Sequence, residues 1–216
     1  MKQGLWNKLA EEIHQNAVAH GWYDKEPSLA SVINNIHAEL SEAWEEYRKG
    51  RPMCYFECEN IKDDDRFGRP CSPCGYGKPE GPCDRRGEKP EGIAVELADA
   101  VMRMLDTCAH MKIDIDGAME KTLTSSELDE PQEWRLIEQD TDADMLPALI
   151  KRLHDYMSMA YKVAQYGYGI APYVAAAIYV TEKYVQKHAL TTLEQLIRMK
   201  HAYNITRPYK HGGLVI

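Results

Sequence analysis

The sequence lacks the features that mark nucleic-acid-binding, membrane and secreted proteins. Its 216 residues contain no long basic run, and 34 acidic residues against 26 lysines and arginines give a net charge of −8. Proteins that bind a nucleic-acid backbone need a positive surface, which argues against that class. The longest apolar run, residues 170–180, is too short to cross a bilayer, and the first residues lack the apolar core of a signal peptide. We therefore expect a cytoplasmic protein with neither a nucleic-acid nor a membrane partner.

The sequence also shows no convincing strand pattern, because its apolar residues recur at helical spacing along most of the chain. Turn and capping residues separate the helical segments. The predicted helices cover about residues 5–19, 28–49, 92–111, 115–123, 145–165, 170–188 and 191–203. The pattern predicts an all-α protein built as a helical bundle.

Cysteine is scarce outside one segment. Five of the six cysteines lie in a Gly- and Pro-rich loop insertion predicted at about residues 52–91. A disulfide framework is not expected in the cytoplasm. A long loop without a hydrophobic core therefore needs another kind of cross-link to stabilise it. The Cys-x-x-Cys spacing of Cys71 and Cys74 is typical of a zinc knuckle and indicates a structural Zn²⁺ site. Its predicted ligands are Cys58, Cys71, Cys74 and Cys83, and a loop with free thiols is the alternative.

Two pairs of acids at helical spacing are the most informative feature that is present. Glu39 and Glu42 lie in the second predicted helix, and Glu96 and Asp99 lie in the third. Residues three apart share a helix face, so two adjacent helices would direct four carboxylates to one point. Such charges need a cation between them, and Mg²⁺ prefers oxygen ligands. A solvated acidic face is the alternative, but the apolar neighbours of Asp99 favour its burial.

The second half of the chain repeats the pattern of the first. Residues 36–44 align with residues 153–161, and residues 92–94 align with residues 169–171, yet none of the four acids has an acidic counterpart. We interpret the chain as two degenerate helical units that form a pseudo-dimer, which admits a homodimer of such pseudo-dimers. The first unit, the linker and the second unit are residues 1–124, 125–144 and 145–216.

Three segments together resemble a known family. They are residues 37–43, residues 92–99, and a tail in which Lys200, Asn204 and Arg207 lead into His-Gly-Gly. The residues of these segments and their order along the chain resemble those of the all-α nucleoside triphosphate pyrophosphohydrolases, the MazG-like superfamily that also contains the dimeric dUTPases. Two departures exist: the residue before Glu39 is alanine where the family often has a second glutamate, and the tail follows the second helical unit.

The resemblance implies hydrolysis of a nucleoside triphosphate, with deoxynucleotides expected, to a monophosphate and pyrophosphate. Glu39, Glu42, Glu96 and Asp99 would hold Mg²⁺, or Mn²⁺ in its place. Glu46, one helical turn beyond Glu42, would orient the attacking water, with a solvated glutamate as the alternative.

Substrate binding is expected from the tail and from aromatic side chains. The expected residues are Lys200, Asn204, Arg207, Lys210 and His211 in the tail, and Trp22, Tyr23 and Trp44 for stacking on the base. Because one unit keeps the acids and the other keeps the tail, we expect one site per chain. Two alternatives are a dUTPase of the same superfamily and a non-enzymatic, zinc-stapled helical interaction module.

Overall fold

Seven α-helices make up most of the chain that the computed structural model describes, which comprises residues 4–57, 69–70, 89–124, 145–189 and 191–212. The prediction of a mostly helical chain is confirmed. None of the helices in these ranges is long and apolar enough to cross a membrane. The helices are α1 (Leu5–Ala19), α2 (Leu29–Arg48), α3 (Ile93–His110), α4 (Ile115–Thr124), α5 (Met145–Ala164), α6 (Ala171–His188) and α7 (Leu193–Ile205), followed by a 3₁₀ turn at Tyr209–Gly212.

A small antiparallel sheet lies between α2 and α3 in the chain, where the sequence predicted only a loop. Its strands are β1 (Tyr55–Glu57), β2 (Arg69–Pro70) and β3 (Lys89–Glu91), in the order β2-β1-β3. Two or three residues are too few to show the alternation by which a strand is predicted, so the expectation of no strands is wrong here.

The predicted zinc ligands Cys58, Cys71, Cys74 and Cys83 and the predicted linker over residues 125–144 lie outside the described residues. The zinc site therefore stays a prediction. Two further cysteines are described, Cys54 and Cys108, and both are buried as free thiols. Cys108 packs in the core of the bundle.

Helix α3 is the centre of the bundle. Its Ala-, Val-, Leu- and Met-rich sequence is apolar on nearly all sides, and α1, α2, α6 and α7 pack around it. A helix of this composition is stable only when it is surrounded by other elements. Because α3 is surrounded in this way, Glu96 in its first turn is also buried, with only 3% of the residue exposed.

The start of α3 depends on a glycine. Gly92 has a φ of +115°, and a Cβ at this position would lie 2.7 Å from the carbonyl oxygen of Pro52. The close approach lets the first amides of α3 find partners in the preceding loop, since the N–H of Ala94 donates to the carbonyl of Met53 at 2.8 Å. The chain before β1 is thereby joined to the first turn of α3, which carries Glu96.

The tail after α7 is tied to the turn after α1. The backbone N–H of Lys210 donates to the carbonyl of His20 at 3.1 Å, and the hydroxyl of Tyr209 donates to Asp24. A capping box formed by Thr192 and Gln195 begins α7, which packs on α3 and β3. These contacts hold one face of α7 opposite the C-terminal end of α1.

Two histidines meet where α2 packs on α5. The rings of His37 and His154 stack with centroids 4.8 Å apart, and their Nδ1 atoms are 2.7 Å from each other. One Nδ1 must carry a proton and the other must accept it, so the contact requires at least one neutral ring. Burial lowers the pKa of both histidines, and for His154 the nearby His37 and Lys151 lower it further while Asp155 acts in the opposite direction.

We expect this histidine pair to make the fold less stable in acid. A lowered pKa means that the unfolded chain binds more protons, so the free energy of unfolding is highest above about pH 6.5 and falls as the pH drops below it. Urea denaturation between pH 8 and pH 5 measures this slope. The His154→Phe variant keeps a ring but cannot titrate, and it should show a shallower slope; an unchanged slope would contradict the assignment.

Candidate metal and phosphate site

The four acids predicted from the sequence line one cavity. Glu39 and Glu42 reach it from α2, and Glu96 and Asp99 reach it from α3, because these two helices pack side by side. Glu39, Glu96 and Asp99 each offer a carboxylate oxygen, and these oxygens lie within 4.8 Å of one another. Glu42 is exposed and stands outside this three-carboxylate cluster. The cavity has a volume of about 250 Å³.

Two cations of the chain itself contact the three-carboxylate cluster. The Nζ atom of Lys200 is 2.9 Å from Asp99 and 3.6 Å from Glu96, and it also donates to the carbonyl of Pro90 at 3.2 Å. Only 3% of Lys200 is exposed. Across the cluster, the Nε–H of Arg103 donates to Glu39 at 3.1 Å. The acids are therefore compensated in part by a lysine from α7 and an arginine from α3.

The excess of negative charge that remains helps to raise the pKa of two of the acids. Burial raises the pKa of Glu96 to about 9, although Lys200 opposes this shift and Asp99 reinforces it. Burial and the neighbouring Asp99 also raise the pKa of Glu39, against the effect of Arg103. Both shifts record the cost of placing negative charge beside negative charge in a poorly solvated site. The donor set is entirely carboxylate oxygen, so the residues fit a hard divalent cation such as Mg²⁺.

The other walls of the cavity come from elements far apart in the sequence. Helix α1 and the turn after it supply a mostly uncharged side, and α7 and β3 supply most of the positive charge. Among these residues, the Oδ1 atom of Asn204 is buried without a hydrogen-bond partner in the described part of the chain. The wall residues outside the acids are Ile13, Asn16, Ala17, Trp22, Lys89, Met102, Arg103, Asp106, Lys200, Asn204 and Arg207.

Four of the described residues that were named from the sequence do not line this cavity. Glu46 is buried and accepts a hydrogen bond from the hydroxyl of Tyr55 at 2.8 Å. Trp44 stacks on Tyr47, with ring centroids 5.3 Å apart. Lys210 pairs with Asp24 at 2.9 Å. Tyr23 lines an adjoining smaller cavity, and the side chain of His211 lies outside the described atoms.

Three charged residues of the cavity were not foreseen from the sequence. Arg103 and Asp106 follow Asp99 by four and seven residues, so they lie on the same face of α3. That spacing could have identified them. Lys89 belongs to a three-residue strand inside the segment expected to be a loop, and no sequence signal connects it to the acids. Its ammonium group pairs with Glu91.

Comparison of the chain with protein-family models, with curated proteins and with solved structures finds no match. Function is therefore inferred from the residues of the site itself.

Proposed function

We propose that this protein is a Mg²⁺-dependent nucleoside triphosphate pyrophosphohydrolase, which cleaves between the α and β phosphates. The observation that carries the proposal is the convergence of Glu39, Glu96 and Asp99 in a cavity whose other walls carry lysine and arginine. Carboxylates suit a divalent cation, and the basic residues suit the phosphate chain that such a cation accompanies. An acidic protein can bind a polyanion in this way despite its net charge of −8.

Glu39, Glu96 and Asp99 would hold the metal in this proposal. When bound, Mg²⁺ neutralises phosphate oxygens and makes the attacking water more acidic. Glu42 lines the same cavity outside the three-carboxylate cluster. It takes the role of orienting the water that was expected of Glu46, because Glu46 hydrogen bonds to Tyr55 instead.

The basic residues would bind the triphosphate. Arg207 follows the C-terminal end of α7 by two residues and lines the cavity, where its guanidinium group can contact two phosphate oxygens at once. Lys200 pairs with Asp99 until a cation arrives, and it can then turn to a phosphate oxygen.

We further propose that the two helical units form a pseudo-dimer with one site per chain. Exchanging α2 with α5, α3 with α6 and α4 with α7 leaves the main contacts among these six helices unchanged: α2 contacts α5, α3 contacts α6, and the α3–α7 contact is matched by α4–α6. His37 and His154, which align in the two units, touch each other. A residue meeting its own equivalent is typical of packing about a two-fold axis.

A substrate panel tests the proposed activity. With Mg²⁺, we expect a nucleoside triphosphate to yield its monophosphate and pyrophosphate in equal amounts, and we expect chelation of the metal by EDTA to abolish the reaction. The products are measured by chromatography together with a coupled pyrophosphate assay. Hydrolysis confined to dUTP would favour the dUTPase alternative. Absence of any hydrolysis with Mg²⁺ or Mn²⁺ would favour the interaction module.

A further inference from the structure

A second polar cluster lies on α3 beyond the metal acids. Asp106 is seven residues after Asp99, which places it about 10 Å further along the same helix face. It lines the main cavity and also an adjoining smaller one. Asp106 is not part of the three-carboxylate cluster, so the proposed metal site leaves it without a role.

Asp106 is held in place by two donors. The Nδ1 atom of His14 is 2.7 Å from Oδ1 of Asp106, and because a carboxylate can only accept, this nitrogen carries the proton. The hydroxyl of Tyr23 also donates to Asp106, which helps to raise the pKa of Tyr23 after the larger effect of burial. The Tyr23 ring packs edge-on against His14, with centroids 4.6 Å apart. This packing limits the rotation of the carboxylate.

An aromatic surface adjoins the same end of the cavity. Trp22 lines both cavities together with Asp106. The guanidinium carbon of Arg103 lies 6.0 Å from the centroid of the Trp22 ring and packs over it, while the Nε–H of the same arginine binds Glu39. Arg103 therefore connects the three-carboxylate cluster to this aromatic end.

Two polar groups of the cavity wall are acceptors that a ligand can reach. Asp106 is a carboxylate that lines the cavity, and Oδ1 of Asn204 is buried in its wall without a partner among the described residues. A buried acceptor is costly until a donor reaches it. A ligand that contacts these acceptors should therefore present N–H or O–H groups.

We propose that Asp106 is a specificity-determining residue that selects a base with an exocyclic amino group, bound beside Trp22. The inference rests on the proposed function, because it places the phosphates at the three-carboxylate cluster and the base at the distal end. A carboxylate accepts a hydrogen bond from the amino group of cytosine, adenine or guanine. It repels the carbonyl oxygen that uracil and thymine carry at the ring position where cytosine carries its amino group.

Cytosine and uracil form the sharpest test, because they differ by an amino group against a carbonyl at one ring position. Calorimetry with the non-hydrolysable α,β-methylene analogues of dCTP and dUTP, in the presence of Mg²⁺, measures base preference without requiring turnover. We expect the wild type to bind the dCTP analogue about 10- to 100-fold more tightly, the range for a hydrogen bond to a charged group. In the Asp106→Asn variant the side-chain amide can donate to uracil, and the preference should fall to within about 3-fold.

Glu26→Gln is the matched control. Glu26 pairs with His110 at 2.7 Å and borders the same group of rings, but it lines neither cavity, so its removal should leave the preference unchanged. A ratio of two affinities does not depend on the fraction of folded protein, so it tolerates partial unfolding of a variant.

The outcomes separate this inference from the proposed function. Equal or no binding of the two analogues by the wild type, or an unchanged ratio in Asp106→Asn, would overturn the role of Asp106. Binding with the expected preference but without hydrolysis of dCTP would uphold that role and overturn only the proposed activity.

Discussion

Replacement of Asp99 by asparagine is expected to reduce Mg²⁺-dependent pyrophosphate release by at least about 10²- to 10³-fold. Charge neutralisation by the metal lowers the activation barrier by several kcal/mol, and each 1.4 kcal/mol changes the rate about tenfold. The change is nearly isosteric, but it removes one of three converging carboxylates and the ion-pair partner of Lys200 at 2.9 Å. Steady-state kinetics at several Mg²⁺ concentrations measure the loss. The deficit should be partly recovered at high Mg²⁺ if the weakened step is metal binding.

Asp155→Asn is the control for this substitution. Asp155 lies on α5 with 60% of its side chain exposed, and it pairs with Lys151 away from the cavity. The activity of the Asp155→Asn variant should match that of the wild type, since exposed ion pairs of this kind contribute little to stability. Full activity in Asp99→Asn would remove the three-carboxylate cluster from the mechanism.

Replacement of Lys200 by methionine is expected to destabilise the metal-free protein by about 3–5 kcal/mol, because it leaves the Asp99 carboxylate without its cation in a poorly solvated site. Lys200 lies 2.9 Å from Asp99, and only 4% of its side chain and 15% of the Asp99 side chain are exposed, so solvent screens this pair little. For a protein of this size the loss corresponds to roughly 6–20 °C in melting temperature. Thermal unfolding in EDTA measures it.

The metal dependence of the Lys200→Met variant is the more specific result. A divalent cation would supply the missing positive charge, so added Mg²⁺ should raise the melting temperature of the variant more than that of the wild type. Lys151→Met serves as the control, since the Lys151 side chain is 73% exposed and its removal should change stability by less than about 0.5 kcal/mol. Equal stability of Lys200→Met and the wild type in EDTA would show that Lys200 does not compensate the acids.

Local periodicity was enough to place the acids but not their partners. The spacing of Glu96 and Asp99 put both on one face of a helix, and the apolar neighbours of Asp99 predicted its burial. The structure leaves 15% of the Asp99 side chain exposed and buries Glu96 more completely. The same reasoning extended by two turns would have named Arg103 and Asp106. It failed for Glu46, because its contact depends on Tyr55, which lies beyond the end of the helix in a strand too short to predict.

The proposed duplication rests on residues that recur at matching positions in the two halves of the chain. The sequence did not indicate that two of these residues, His37 and His154, stack on each other. An alignment pairs equivalent positions, but the distance between them depends on how the helices pack.

The sequence by itself determined the helices, the four acids and the basic tail, because helix periodicity, capping and burial are properties of neighbouring residues. Only the tertiary structure decided that Lys200 meets Asp99 across about one hundred residues, that Arg103 joins Glu39 to Trp22, and that Asp106 stands at the far end of the same cavity. Those contacts depend on how α1, α2, α3 and α7 pack on one another. No local pattern encodes that arrangement, since it results from the burial of all the helices together.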